Sequence, residues 1–174
     1  MSPGRRDALT LGAVALGAAA LGGVVAALTL QGRSGAADLL ASRFPDLSGR
    51  MRPLLEWQGH GLVCNFWATW CAPCREEIPL LNAAQQKYAA NGLQVVGIAV
   101  DSAANVRQFI TSTEIHYPVL LAGAAAIDLM RELGNTTGGL PYTVLLDSRG
   151  RLAGRKLGAF SARELEAALA ALLR

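Results

Sequence analysis

The sequence predicts an α/β domain with a central mixed sheet flanked by helices. Three observations carry this expectation. Apolar, strand-like runs alternate with segments of helical period from about residue 61 onward. A Ser-Arg-Gly turn joins two strand-like segments near the C-terminus. A Cys-x-x-Cys pair sits where the first long apolar strand gives way to a helix. At 174 residues the chain suits one ordinary domain with an N-terminal extra, and is short for two separate cores.

Ala36 to Arg43 reads as a short lead-in helix, and Phe44 to Arg50 as a strand end entering a turn. Gly61 to Ala68 is expected to be a central strand. Pro73 to Ala90 is a helix with apolar positions at Ile78, Leu80, Leu81, Ala84 and Tyr88, closed by Asn91-Gly92. Pro79 lies inside this pattern and should kink it. Leu93 to Val100 is continuously apolar, as a strand covered on both faces would be. Asn105 to Thr113 reads as helix, Tyr117 to Leu121 as strand, and Ala125 to Leu133 as helix with Gly134 as its stop. Pro141 to Asp147 and Arg151 to Leu157 form a tight antiparallel pair around Ser148-Arg149-Gly150. Ala162 to Leu173 is a last helix, with Ser161 as N-cap and Glu164 placed for a capping box. The order β-α-β-α-β-α-β-β-α is thioredoxin-like, and right-handed crossovers put helices on both faces of the sheet.

The N-terminal extra has its own logic. Ala8 to Leu30 is a run of twenty-three residues without a charge, following Arg5 and Arg6. As a helix it spans roughly 34 Å, enough for a hydrocarbon core of ~30 Å. The preceding arginines predict residues 1–7 on the cytoplasmic side and everything after the run outside. The expected organisation is therefore a cytoplasmic N-terminus at 1–7, a membrane anchor or signal segment at 8–30, a linker at 31–43 and the α/β domain at 44–174. Cleavage is the competing reading, because the run is mostly Ala and Gly and small-x-small sites stand at Val25-Ala26-Ala27 and Gly35-Ala36-Ala37. A twin-arginine export signal at Arg5-Arg6 is a third. All three end in the same compartment: the outer side of a bacterial inner membrane, tethered or soluble in the periplasm.

The formal net charge is +3, but the basic residues are scattered and no nucleic-acid patch emerges. No internal repeat is present, and nothing in the sequence calls for more than a monomer.

Three cysteines cannot all pair within one chain. Cys64 lies in the apolar run Leu62 to Trp67 and is expected to be an inert core residue. Cys71 and Cys74 stand in Trp70-Cys71-Ala72-Pro73-Cys74. A structural zinc site would need a second pair or nearby histidines, and His60 and His116 are isolated, so no metal is expected. For disulfide exchange the placement fits. A free cysteine is mostly protonated at neutral pH, and the start of a helix offers unsatisfied N–H groups and the positive end of the macrodipole, which favour the thiolate at Cys71. Pro73 suits the first turn, where its missing donor costs nothing. At i+3, Cys74 shares a face with Cys71 and can resolve a mixed disulfide. The redox-active pair is then the protein's own prosthetic group, and no cofactor is expected.

The segment Asn65-Phe66-Trp67-Ala68-Thr69-Trp70-Cys71-Ala72-Pro73-Cys74-Arg75-Glu76-Glu77-Ile78-Pro79 resembles the active site of membrane-anchored thioredoxin-like proteins of the TlpA/ResA type. The likeness runs from about Phe44 to the C-terminus. It includes an early hairpin at Phe44 to Gly49, Ile115 to Leu120, and Gly139 to Asp147. The resemblance implies that Pro141 is a cis-proline beside the disulfide, presenting backbone to an extended substrate; a proline opening a strand is the plain alternative. Asn65 stands where many soluble thioredoxins carry a buried aspartate, and an amide cannot accept the proton of Cys74. Glu77, on the helical face of Cys74, is the candidate base, matched by the resemblance to an acidic residue near the site; the alternative is that Glu76 and Glu77 only favour the helix dipole. Trp67 and Trp70 are expected to flank and shield the site, with core packing the alternative for Trp67. No role falls to Trp57.

The resemblance further implies a thiol:disulfide oxidoreductase that reduces disulfides in exported proteins. Its substrates would be cytochrome c or copper-site assembly partners, and its electrons would come from a transmembrane thiol donor. Three rivals stand beside it. A DsbA-like oxidase normally carries a sizeable helical insertion for which this chain has no room. A non-enzymatic copper chaperone would use the same thiols, since soft thiolates favour Cu(I), but lacks a histidine near the pair. A peroxiredoxin-type peroxidase would lack the resolving cysteine at i+3.

Overall fold

The computed structural model describes residues 35–174. The expected cytoplasmic stretch at 1–7 and the anchor or signal segment at 8–30 lie outside the described residues. Among the described residues no helix is long and apolar enough to cross a membrane.

Five strands form the central sheet in the order β5-β4-β3-β6-β7: β3 Gly61–Trp67, β4 Leu93–Ala99, β5 Val119–Leu121, β6 Tyr142–Leu146 and β7 Leu152–Leu157. β3, β4 and β5 run parallel, while β6 pairs antiparallel with both β3 and β7. The sheet is thus mixed, and β3 is its middle strand. Every residue of β3 is buried, because alternate side chains enter opposite faces and both faces are covered. Leu62, Cys64 and Phe66 join one cluster, with Met130 and Leu133. Val63 joins the other, with Leu81, Leu165 and Leu169.

Helices supply the covers. Residues 35–41 form α1, and α4 is Ala126–Glu132, both on the first face. On the second face lie α2 (Ala72–Tyr88) and α5 (Ala162–Leu172), while α3 (Ala103–Ile110) adds Val106 to a third cluster around the cysteine pair. Leu165, Leu169 and Leu172 of α5 recur at i, i+4 and i+7 and are all buried, each contributing about 1.5–3 kcal/mol relative to an exposed side chain. α5 opens on the expected capping box: Ser161 Oγ accepts from Glu164 N, and the Glu164 carboxylate accepts from Ser161 N.

The lead-in helix expected at Ala36 to Arg43 is present over residues 35–41, within the expected linker, and its Ala36, Leu39 and Leu40 are buried in the core, so the packed unit takes in residues before Phe44. The early hairpin expected at Phe44 to Gly49 is a two-stranded ribbon, β1 Arg43–Pro45 with β2 Met51–Pro53, whose second strand lies beyond the expected bounds, followed by a turn of 3-10 helix at Leu54–Trp57. Trp57, given no role, is buried in this part of the core, with the Arg52 guanidinium 5.0 Å from its ring centroid. α2 carries Pro79 in its interior and runs on to Tyr88. Gly92, in the left-handed conformation at φ +83, turns the chain into β4.

Candidate active site

The cysteine pair stands at the C-terminal end of β3, where the chain leaves the sheet and starts α2. Cys71 is the N-cap of α2, and its Sγ accepts from Cys74 N at 3.3 Å. The sulfur therefore occupies the place where the first turn offers unsatisfied donors. Pro73 lies in that first turn, where no N–H is required. Cys71 and Cys74 are joined as a disulfide, with Cα atoms 5.3 Å apart, and both are buried.

The approach to Cys71 is held by Asp101 at the end of β4. Thr69 donates to Asp101 Oδ2 through its N–H at 3.0 Å and its hydroxyl at 2.5 Å. Ser102 N and Asn105 Nδ2 donate to Oδ1 at 2.7 and 2.9 Å. Burial opposes ionisation of this carboxyl, but these hydrogen bonds outweigh it and hold its proton affinity below the ordinary value.

Glu77 points inward from α2 while Glu76 is exposed. Glu77 is 2% exposed. Its Oε2 accepts from Asn65 Nδ2 at 3.0 Å and its Oε1 from Phe160 N at 2.7 Å. Burial raises its proton affinity above the usual carboxylate range, opposed by the Phe160 and Asn65 hydrogen bonds and by the charge of Lys156. Asn65 uses its second amide hydrogen on Thr143 Oγ1, also at 3.0 Å, across the β3–β6 pair.

The Leu140–Pro141 peptide is cis. Tyr142 pairs with Phe66, which brings Pro141 to the same end of β3 as the disulfide. Leu140 packs on the cluster containing Cys71 and Cys74, and Pro141 O accepts from Gly158 N at 2.8 Å. Trp67 is buried, with its ring 5.5 Å from that of Phe109. Trp70 departs from the expected shield: at 68% exposed it projects into solvent beside Cys71. Cys64 is fully buried, and burial pushes its thiol far toward the neutral form.

The structure thus gathers Cys71, Pro73, Cys74, Glu77 and Pro141 at one end of β3. The sequence reading missed Thr143, the Phe160 N–H and the Asp101–Thr69 clamp. Only the last had a local signal, since Asp101-Ser102 precedes a helix as capping residues do.

This geometry, a disulfide at a strand-to-helix junction beside a cis-proline, suits dithiol–disulfide exchange. The Redoxin family model matches residues 42–172. The chain belongs to the Redoxin family. Within it, this Redoxin is a thioredoxin-like thiol-disulfide oxidoreductase of the ResA/TlpA type. It is 31% identical to the thiol-disulfide oxidoreductase ResA of Bacillus cereus over 124 residues, 70% of this chain and 68% of that protein. It is 32% identical over 127 residues to the thioredoxin-like protein YneN of Bacillus subtilis (strain 168), 69% of each chain. Among solved structures, the Redoxin resembles a thiol:disulfide interchange protein DsbE from Chlorobium tepidum, with TM-score 0.68 and 28% identity over 76% of this chain and 93% of the other. A secreted thiol-disulfide isomerase from Corynebacterium glutamicum gives TM-score 0.67 and 27% identity, covering 78% and 86%.

Proposed function

We propose that this oxidoreductase works in the reducing direction on disulfides of exported proteins, such as cytochrome c or copper-site assembly partners. It acts outside a bacterial inner membrane, tethered by residues 8–30 or released into the periplasm, and draws electrons from a transmembrane thiol donor. The uncharged run behind Arg5 and Arg6 supports export, as does the likeness to a secreted isomerase. The substrates and the donor rest on the resemblance to TlpA/ResA-type proteins.

One observation carries the chemistry: Cys71 Sγ caps α2, facing the Cys74 N–H. A thiolate there is stabilised by the helix start. In the reduced enzyme it attacks one sulfur of the substrate disulfide, and the other substrate sulfur leaves as a thiolate that takes a proton. Glu77, as carboxylate, accepts the proton of the Cys74 thiol. The Cys74 thiolate then attacks Cys71 Sγ, closing the enzyme disulfide and releasing the second substrate cysteine as a thiolate. Two electrons pass from the dithiol to the substrate, and the donor returns them. On the resemblance to TlpA/ResA-type proteins, the backbone around cis-Pro141 meets an extended substrate segment.

Trapping tests the roles. Cys74→Ser should accumulate mixed disulfides with substrate while Cys71→Ser should not, and the reverse pattern overturns the assignment. The Cys71–Cys74 reduction potential tests direction. A value near that of thioredoxin, about −270 mV, supports a reductant, and one near about −120 mV, as in a strong oxidant, defeats it.

A further inference from the structure

The Glu77 carboxyl accepts from two donors far apart in the chain, Asn65 and Phe160, and Asn65 is itself held by a residue to which no role has fallen. Asn65 Nδ2 carries two hydrogens. One goes to Glu77 Oε2 and the other to Thr143 Oγ1, each at 3.0 Å. Asn65 and Thr143 are Cα partners in the β3–β6 pairing, and both are buried, Thr143 completely.

We infer that Thr143 is a positioning residue for Glu77: by accepting one amide hydrogen of Asn65, it holds that amide with its other hydrogen on the Glu77 carboxylate. An asparagine amide can present its NH2 or its oxygen to a neighbour, with opposite consequences for a carboxyl group. Facing NH2, the ionised form is stabilised; facing oxygen, only the protonated acid can bond. With NH2 inward, Thr143 Oγ1 takes the second amide hydrogen, which without it would be buried with no partner, at a cost. Thr143 thereby makes Glu77 a better-defined proton acceptor than burial alone would leave it.

The other groups facing Glu77 are few. Phe160 N donates from the β7–α5 connection. Lys156 on β7 acts through its charge, with its Nζ bonded to Glu164 Oε1 at 2.7 Å. Tyr117, ahead of β5, is a buried phenol kept neutral by burial and by the Glu77 charge. Cys74 lies one turn back on α2. Each of these stays in place when the Thr143 hydroxyl alone is removed.

The functional meaning of this positioning rests on the reading of Glu77 as base, and the test separates the two. Carbon NMR titration of the Glu77 side-chain carboxyl, assigned through Glu77→Gln, is followed in the wild type, Thr143→Val and Thr143→Ser. Thr143→Val should shift the Glu77 midpoint to higher pH and slow resolution of the Cys71 mixed disulfide near neutral pH, while Thr143→Ser should restore both. A midpoint unmoved in folded Thr143→Val overturns the inference. Thr143→Ala provides the same reading should valine prevent folding. If the midpoint moves as expected but Glu77→Gln resolves mixed disulfides at the wild-type rate, the positioning stands and the base role of Glu77 fails.

Discussion

Asp101 accepts both the backbone N–H and the hydroxyl of Thr69, tying the end of β4 to the turn that delivers Cys71. The same carboxylate accepts from Ser102 N and Asn105 Nδ2 at the start of α3. Asp101→Ala should therefore cost about 1–2 kcal/mol of unfolding free energy, an amount kept modest because the carboxylate is partly exposed. The pH dependence has a definite sign. The proton affinity of Asp101 is depressed on folding, so its contribution is present above the ordinary value of 3.8 and is lost as pH falls through the folded-state value. Urea unfolding across acidic pH should show the wild type and the variant converging at low pH.

Glu77 gives the opposite slope. Its proton affinity is raised by burial, so between the ordinary value of 4.5 and the higher folded-state value the native chain binds more protons than the unfolded one. Stability associated with this group is present below 4.5 and declines as pH rises through the folded-state value. Glu77→Gln removes that decline. Whatever its stability at acidic pH, the variant should gain on the wild type as pH increases, and parallel curves of unfolding free energy against pH would refute the assignment.

The sequence foretold the sheet and its helices well because period carries that information: β3 and β4 are predominantly apolar runs, and Leu165, Leu169 and Leu172 lie on one stripe. Spacing put Glu77 on the helix face of Cys74, since i+3 fixes a face, and Glu77 is indeed turned inward and buried. Thr143 was out of reach, because its contact with Asn65 spans 78 residues and exists only in one register of an antiparallel pair. The early hairpin was expected from the resemblance, but β2 could not be bounded from the residues, because Met-Arg-Pro is too short to show alternation and is held by pairing with β1. The two tryptophans near the cysteines look equivalent in sequence. Strand alternation turns Trp67 inward, whereas Trp70 lies past the end of β3 with no facing strand to cover it.

Gly97 shows how tightly the site's floor is packed. A Cβ at this position would lie 3.0 Å from Trp67 Nε1 and 3.1 Å from Tyr117 Cε2. Neither ring has room to withdraw, since Trp67 and Tyr117 are both buried. Among the described residues the Trp67 indole N–H has no hydrogen-bond partner. Gly97→Ala should destabilise the protein by about 1–3 kcal/mol through overpacking. Thermal unfolding measures the cost, and altered Trp67 fluorescence would place the disturbance at the disulfide's support.

Cys64 and the active pair differ in what burial does to their sulfur. Cys64 has no exposed surface, and burial holds its thiol neutral far above ordinary pH, so it lacks both access and the thiolate form that reacts. Cys71, once the disulfide is opened, sits at the N-cap of α2, where the helix start favours the anion. The reduced native protein should therefore take up alkylating reagent at Cys71 first and at Cys74 more slowly. Cys64 should react only after denaturation. Mass spectrometry of timed iodoacetamide reactions checks this order, and native labelling of Cys64 at a rate comparable to Cys71 would mean that β3 opens more readily than its complete burial allows.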